Sequence, residues 1–191
     1  SEEGTVLLKN NGALPLTKDE TQKVTFLGFS SYYPVQGGDF GSVVAENKGT
    51  DADTVDLIQA FEAKGYSLNP TVQKMYESLK EDFKSEAVLP WGVTTYYRTT
   101  SPAVGGTFTS LEPTQEKLDK TEPAWKDSMN DYNVMVVTIA RAAGENTNYT
   151  PGTDGVNPDQ DLNQADPLGL SDTERATIDA AVKAKEENGG K

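Results

Sequence analysis

The sequence of 191 residues contains neither cysteine nor histidine. Without cysteine the chain has no disulfide, no thiol nucleophile and no thiolate metal ligand, and its redox compartment is left open. Without histidine, a Ser-His-Asp triad, a histidine general base and most zinc sites are excluded. Any acid–base chemistry must therefore use carboxylates, tyrosine or lysine. We expect neither a metal site nor a cofactor.

Positive charge is also scarce in this chain. Lys and Arg number 17 against 30 Asp and Glu, which gives a net charge of −13 at pH 7. Clustered Lys and Arg drive binding both to nucleic acid and to anionic lipid surfaces, so we expect neither partner. No apolar run approaches the roughly 18 residues of a bilayer span. Cytoplasmic and secreted locations both remain open.

The order of predicted elements indicates the fold class. β-Formers predict strands, and apolar stripes with capping signals predict helices. We expect strands at 24–29, 66–68 and 133–140, and helices at 54–64, from 69 onward, at 113–130 with a break at Pro123, and from 171 onward. The last helix starts with a capping box, Ser171 to Glu174, and we expect Ile178, Ala181 and Val182 to face inward.

These elements predict a single α/β domain over residues 1–191, with a mostly parallel sheet and helices on both faces, similar to flavodoxin. Residues 84–112 lack a clear period and are expected to form an irregular excursion or a hairpin. Three strands are few for such a sheet, and both ends of the chain look abrupt. We therefore expect that this chain is a segment of a larger enzyme, truncated at its C-terminus. The mass of the natural gene product would test this expectation.

One segment joins a buried strand to a single carboxylate. The run Val134–Ala140 is almost continuously apolar, which indicates a strand covered on both faces. The carboxyl ends of such strands are where open α/β sheets place their chemistry. Arg141 and Glu145, in a loop predicted over 141–169, fit either a general acid beside a cation or a solvated carboxylate near a surface arginine. Glycoside hydrolysis would need a second carboxylate across the sugar ring.

Three further patterns leave their interpretation open. The loop Gly37–Ser42 fits a phosphate cradle, a plain turn or a sugar-site or domain-contact loop, but it lacks the spacing of known phosphate motifs, and Asp39 would repel phosphate. The stretch Asp159–Asn163 starts like a calcium loop, yet Gln164 and Leu170 stand where Gly and Glu are required, which favours a solvated loop. The aromatic residues Trp91, Tyr96, Tyr97 and Tyr149 fit a carbohydrate platform, and the first three fit a satellite core or an exposed surface equally well.

Five segments, taken in order, carry a family resemblance. They are Glu3–Leu16 (EGTVLLKNNGALPL), the strand Val24–Gly28, Gly37–Val43 (GGDFGSV), Arg141–Glu145 (RAAGE) and Leu170–Glu174 (LSDTE). Together they resemble the second domain of glycoside hydrolase family 3, the β-glucosidase and β-xylosidase family. The likeness covers most of the chain outside the 84–112 excursion. Asp39-Phe40 and the Asn146 that follows Glu145 depart from the family pattern.

The resemblance implies a hydrolase of carbohydrate metabolism. In this family an α/β sandwich packs beside a TIM-type barrel that carries the nucleophilic Asp, and in many members the sandwich supplies the general acid/base. By motif match that residue is Glu145, and the implied substrate-binding residues are Arg141, Gly38, Asp39 and Tyr149. The implied partners are a β-linked glycoside or oligosaccharide and an N-terminal barrel of the same polypeptide. The fragment alone is expected to be inactive.

Two other functions compete with a glycosidase. One is a non-catalytic scaffold or carbohydrate-binding domain of the same family. The other is a flavodoxin-like module that binds a phosphorylated ligand. The net charge of −13 and the lack of a basic phosphate loop count against the second.

Overall fold

A three-stranded parallel sheet organises the part of the chain that the computed structural model describes, which is residues 4–16, 22–33, 55–89, 92–97, 109–110, 112–142 and 169–188. The strands are β1 (Lys23–Leu27), β2 (Ser67–Leu68), β3 (Lys84–Leu89), β4 (Gly92–Tyr97), β5 (Thr109–Ser110), β6 (Val134–Val137) and β7 (Arg141–Ala142). The helices are α1 (Phe29–Tyr32), α2 (Leu57–Ala63), α3 (Pro70–Ser78), α4 (Gln115–Thr121), α5 (Trp125–Ser128) and α6 (Asp172–Asn188), with 3-10 turns at Lys80–Phe83 and Met129–Asp131.

The central strand is β1, which pairs in parallel with β2 on one side and with β6 on the other. Its register with β6 runs from Val24 opposite Val134 to Leu27 opposite Val137. The predicted α/β class with a parallel sheet is therefore confirmed. Two antiparallel pairs accompany this sheet, β3 with β4 and β5 with β7.

Helices cover both faces of the sheet, as predicted. Because side chains alternate along a strand, Val24 and Phe26 lie on one face of β1, where Ile58 of α2 packs with them. Leu27 belongs to the cluster on the other face, which contains residues of α3, α4, α5 and α6. Each large apolar side chain in these clusters contributes about 1.5–3 kcal/mol through burial. The fully buried members include Phe26, Phe29, Met75, Tyr76, Leu118, Trp125 and Met129.

Local sequence signals account for the helix ends. Asp56 and Gln59 form a reciprocal capping box at the start of α2, and Gly65, with φ +81°, follows its end. The Asn69 side chain accepts hydrogen bonds from two amides at the start of α3, where Pro70 is the first residue. Ser171 and Glu174 likewise bond reciprocally at the start of α6, as predicted.

The inward face of α6 differs from the prediction. Ala181 is buried and Ile178 is half-buried, but Val182 is 46% exposed. The buried stripe instead runs through Thr177, Ala181 and Ala184, which follow helical spacing. Thr177 can belong to this buried stripe, although it is polar, because its hydroxyl donates a hydrogen bond to the buried side chain of Glu112.

Several strand boundaries also differ from those expected. The first strand ends at Leu27 rather than residue 29, because Gly28 turns the chain with φ +93° and Phe29 starts α1. The strand expected over 133–140 spans only Val134–Val137. Val134 and Val136 pack with the cluster on one face of the sheet, and Met135 and Val137 pack with the cluster on the other. The strand is therefore covered on both faces as expected, although only Val134 is fully buried and the other three are half-buried. The excursion contains the β3–β4 hairpin, one of its two expected forms.

Gly28 provides a test of how tightly β1 and β6 approach at their ends. A Cβ at this position would lie 2.2 Å from the backbone oxygen of Thr138, closer than real contacts allow. We expect Gly28→Ala to lower the free energy of unfolding by more than about 3 kcal/mol, because steric overlap adds to backbone strain.

Gly65→Ala is the matched control for Gly28→Ala. Gly65 also has positive φ, but nothing lies within 4 Å of a Cβ built there. Strain alone should then cost about 1 kcal/mol. Urea denaturation of both variants measures the difference, and equal losses would contradict a close contact between Gly28 and Thr138.

Candidate functional site at the carboxyl edge of the sheet

The strand order places a topological switch point between β1 and β6. The chain proceeds from β1 to β2 on one side of the sheet, whereas β6 lies on the opposite side of β1. In open α/β sheets, ligands bind in the crevice outside the carboxyl ends of the strands at such a point. This edge is formed by the turn Gly28–Ser31 after β1 and by the residues that follow Val137.

Hydroxyl groups join the two chain segments at this edge. The Thr138 amide donates to the Leu27 carbonyl, with 3.0 Å between N and O. The Thr138 hydroxyl lies 3.1 Å from the Ser30 hydroxyl and 2.7 Å from that of Ser31. Ser31 also donates to the Leu27 carbonyl, at 2.9 Å. The exit of β6 is thus held directly against the turn that follows β1.

A buried carboxylate, Glu112, lies beneath the same turn. Its side chain accepts hydrogen bonds from the Phe29 amide at 2.8 Å, from the Tyr76 hydroxyl at 2.7 Å and from the Thr177 hydroxyl at 2.9 Å. The Tyr76 oxygen in turn accepts from the Gly28 amide at 3.1 Å. Glu112 therefore connects the start of α1, the middle of α3 and the buried stripe of α6.

Burial dominates the electrostatics of this carboxylate. Glu112 is 5% exposed, and burial raises its pKa to about 7. The three hydrogen bonds act in the opposite direction, and the charge of Glu174 raises the pKa further. No Lys or Arg among the described side chains forms an ion pair with Glu112. The carboxylate therefore holds the turn from inside the core.

The neighbouring phenols respond to the same burial. Burial raises the pKa of the Tyr76 hydroxyl well above its usual value, and the Glu112 charge adds to the effect. The pKa of Tyr32, whose ring stacks on Tyr76, is raised by burial and by the charges of Glu77 and Glu112. Both phenols therefore stay protonated, and Tyr76 is available as a donor to Glu112.

Most of the predicted site residues lie outside the described residues. These are Gly38, Asp39, Glu145 and Tyr149, together with Trp91 and the acidic stretch Asp159–Asn163. Arg141 is described, and its predicted loop position is wrong. It belongs to β7, which pairs antiparallel with β5, so that Arg141 lies opposite Ser110. The physical reason is that residues 109–110 of the excursion pair with residues 141–142, and no local pattern in the sequence predicts this pairing.

Sequence reasoning missed Glu112, the most perturbed carboxylate among the described residues. It lies in Leu111-Glu112-Pro113-Thr114, between the excursion and α4, where no periodic pattern marks it as buried. The only local signals are the restriction that Pro113 places on the preceding backbone and the capping threonine after it. All three of its hydrogen-bond partners come from distant elements, so only the tertiary structure reveals its burial.

The remaining described surface offers an apolar groove on the other flank of the sheet. Its volume is about 780 Å³, and its lining includes Leu7, Leu14, Leu16, Phe61 and Tyr66. In the described ranges, no group of three or more Asp or Glu residues is arranged to hold a metal ion. No helix found there has the length and apolar character needed to cross a membrane.

Comparisons with protein-family models, with curated proteins and with solved structures found no match to this chain.

Glu112 gives the folded domain a measurable pH dependence. Its pKa is about 7 in the folded state and near 4.5 when unfolded, so the unfolded chain loses this proton first as pH rises. The stability that this group contributes is fully present below about pH 4.5 and is lost as the pH approaches 7. With about 1.4 kcal/mol for each pKa unit, the loss should total roughly 3 kcal/mol.

The difference in free energy of unfolding between the wild type and Glu112→Gln isolates this contribution, because glutamine does not titrate. We expect that difference to fall between pH 4.5 and 7 and to level off above pH 7. Glu116→Gln is the control, since Glu116 is an exposed carboxylate on α4, paired with Lys120. A difference that stays constant with pH would contradict a buried, proton-binding Glu112.

Proposed function

We propose that this chain is the C-terminal α/β domain of a retaining β-glycosidase similar to glycoside hydrolase family 3, with Glu145 as its general acid/base. The observation that carries the proposal is the path of the chain out of β6. It leaves the sheet at the switch point, contacts the β1–α1 turn at Thr138 and enters β7 at Arg141. Glu145 follows Ala142 by three positions in the sequence.

The fold supports this role because of where the switch point lies. A carboxylate borne by a segment that leaves the carboxyl end of a parallel strand is suited to face a ligand or a neighbouring domain. The motif Arg141–Glu145 (RAAGE), which resembles the family's acid/base segment, begins within β7. In the proposal, Arg141, Gly38, Asp39 and Tyr149 contribute to substrate binding, and the substrate is a β-linked glycoside or oligosaccharide.

The proposed mechanism divides two carboxylates between two domains. An Asp of the barrel domain attacks the anomeric carbon, and the bond to the leaving oxygen breaks with its electron pair on that oxygen. Glu145 donates its proton to the leaving oxygen. The ionised Glu145 then takes a proton from a water molecule, whose oxygen attacks the anomeric carbon and displaces the Asp. The configuration is retained, and the two carboxyl groups lie roughly 5–5.5 Å apart.

The test uses the polypeptide that carries this domain together with its barrel. We expect Glu145→Gln to lower kcat by about 10²–10⁴-fold for glycosides with poor leaving groups, because these need the proton. Activated aryl β-glycosides need less protonation, so cleavage of their glycosidic bond should suffer less. Azide, which attacks the glycosyl-enzyme without a general base, should restore turnover of the activated substrate and yield a glycosyl azide.

A matched control for Glu145→Gln is Asp154→Asn, which removes a carboxylate nine positions further along without altering the motif. Equal loss on both substrate classes, without azide rescue, would remove Glu145 from the acid/base role. Turnover that Glu145→Gln leaves unchanged would favour a scaffold or carbohydrate-binding domain. The 191-residue chain alone should show no hydrolysis, since one carboxylate of the pair lies in the barrel.

A further inference from the structure

A closed ring of contacts surrounds the exit of β6. On one side, Thr138 contacts Ser30 and Ser31 of the β1–α1 turn and precedes Arg141 of β7 by three residues. On the other side, Glu112 accepts a hydrogen bond from Phe29 of the same turn and follows Ser110 of β5 by two residues. The backbone pairing of β5 with β7 closes the ring.

We propose that Glu112 is a positioning residue that anchors the β5–β7 pair to the β1–α1 turn and so sets the direction in which the chain leaves Ala142. For its consequence at Glu145, the inference rests on the proposed function. For the anchoring itself it rests only on described contacts. The proline after Glu112 limits the backbone freedom of residue 112, which follows the last residue of β5 by two positions.

The anchor works through hydrogen bonds rather than through an ion pair. Three donors, from α1, α3 and α6, converge on the two carboxylate oxygens. Removing the carboxylate would leave the Phe29 amide without this acceptor in a buried site, where an unsatisfied polar group is costly. The side chain is thus committed to one position, and residue 112 lies two positions after Ser110 of β5.

The groups that face Glu112 make the anchor sensitive to pH. From α1 and α3 these are the Tyr32 and Tyr76 phenols, with Glu77 acting on Tyr32, and from α6 it is the Glu174 carboxylate. All of them are acids, and none supplies a compensating positive charge. In an open state that exposes Glu112 to water, its pKa is near 4.5, whereas in the closed state it is about 7. Between these two pH values the group is ionised only when open, so opening becomes easier as the pH rises.

Amide hydrogen exchange of the 191-residue chain tests the anchor. Protection factors, from which the intrinsic pH dependence of exchange has been divided out, are measured for the β5–β7 amides and for Phe29 between pH 5 and 7. If opening of the β5–β7 pair requires release of Glu112, the protection factors should fall by about tenfold for each pH unit. Glu112→Gln should abolish this slope, whereas Glu116→Gln should retain it.

Tyr76→Phe provides a second variant that keeps the aromatic packing. The Tyr76 hydrogen bond lowers the pKa of Glu112, so its loss should move the end of the slope to higher pH. It also removes the acceptor of the Gly28 amide and should weaken the protection of that amide by about tenfold. A β5–β7 protection factor that is independent of pH in the wild type, or a slope unchanged in Glu112→Gln, would overturn the proposal.

The two proposals fail in different experiments. The exchange measurement involves only this chain, so an inactive full polypeptide would reject the glycosidase proposal and leave the anchor standing. If both hold, Glu112→Gln in the full polypeptide should lower kcat for poor leaving groups and remove a step near pH 7 from the kcat profile, while Glu116→Gln changes neither. A kcat profile identical in Glu112→Gln and the wild type would overturn the link from Glu112 to Glu145.

Discussion

The buried carboxylate of Glu112 joins parts of the chain that are far apart in the sequence. Its donors Phe29, Tyr76 and Thr177 lie 83, 36 and 65 positions away. Moving a charge out of water costs several kcal/mol unless polar partners replace the lost hydration. Here those partners come from three helices, so satisfying one carboxylate requires α1, α3 and α6 to meet in one arrangement. That arrangement places the β1–α1 turn beside the exit of β6.

Environment rather than residue type determines what each carboxylate does in this acidic chain. At Glu112 burial raises the pKa, and the side chain connects three helices through buried hydrogen bonds. Four residues later, Glu116 is exposed, and its hydrogen bond to Lys120 lowers its pKa. Since the chain has no histidine, a side chain that titrates near neutrality must have a pKa shifted far from its ordinary value, as burial does at Glu112. The proposed role of Glu145 would require a similar upward shift, produced by the approach of a neighbouring domain.

Much of the fold could be predicted because its signals are local. The capping box of α6, the Asn69-Pro70 start of α3 and the break at Pro123 all act within one helical turn. The parallel sheet with helices on both faces followed from the order of those elements and is confirmed. Of the candidate site, only the backbone of Arg141 is described, and it lies in a strand rather than in a loop. The role of Glu145 remains a prediction drawn from motif and position.

What the sequence determined by itself is the three strands of the parallel sheet, the longer helices, their order and the absence of thiol and imidazole chemistry, since these follow from composition and from contacts within a few residues. Only the tertiary structure decided that Glu112 is buried, that Thr177 rather than Val182 faces the core, and that β7 exists. Each of these depends on a partner dozens of residues away, such as the Ser110 backbone opposite Arg141. A local pattern carries no information about such a partner, because the pairing energy arises only once the chain has folded and brought the two groups together.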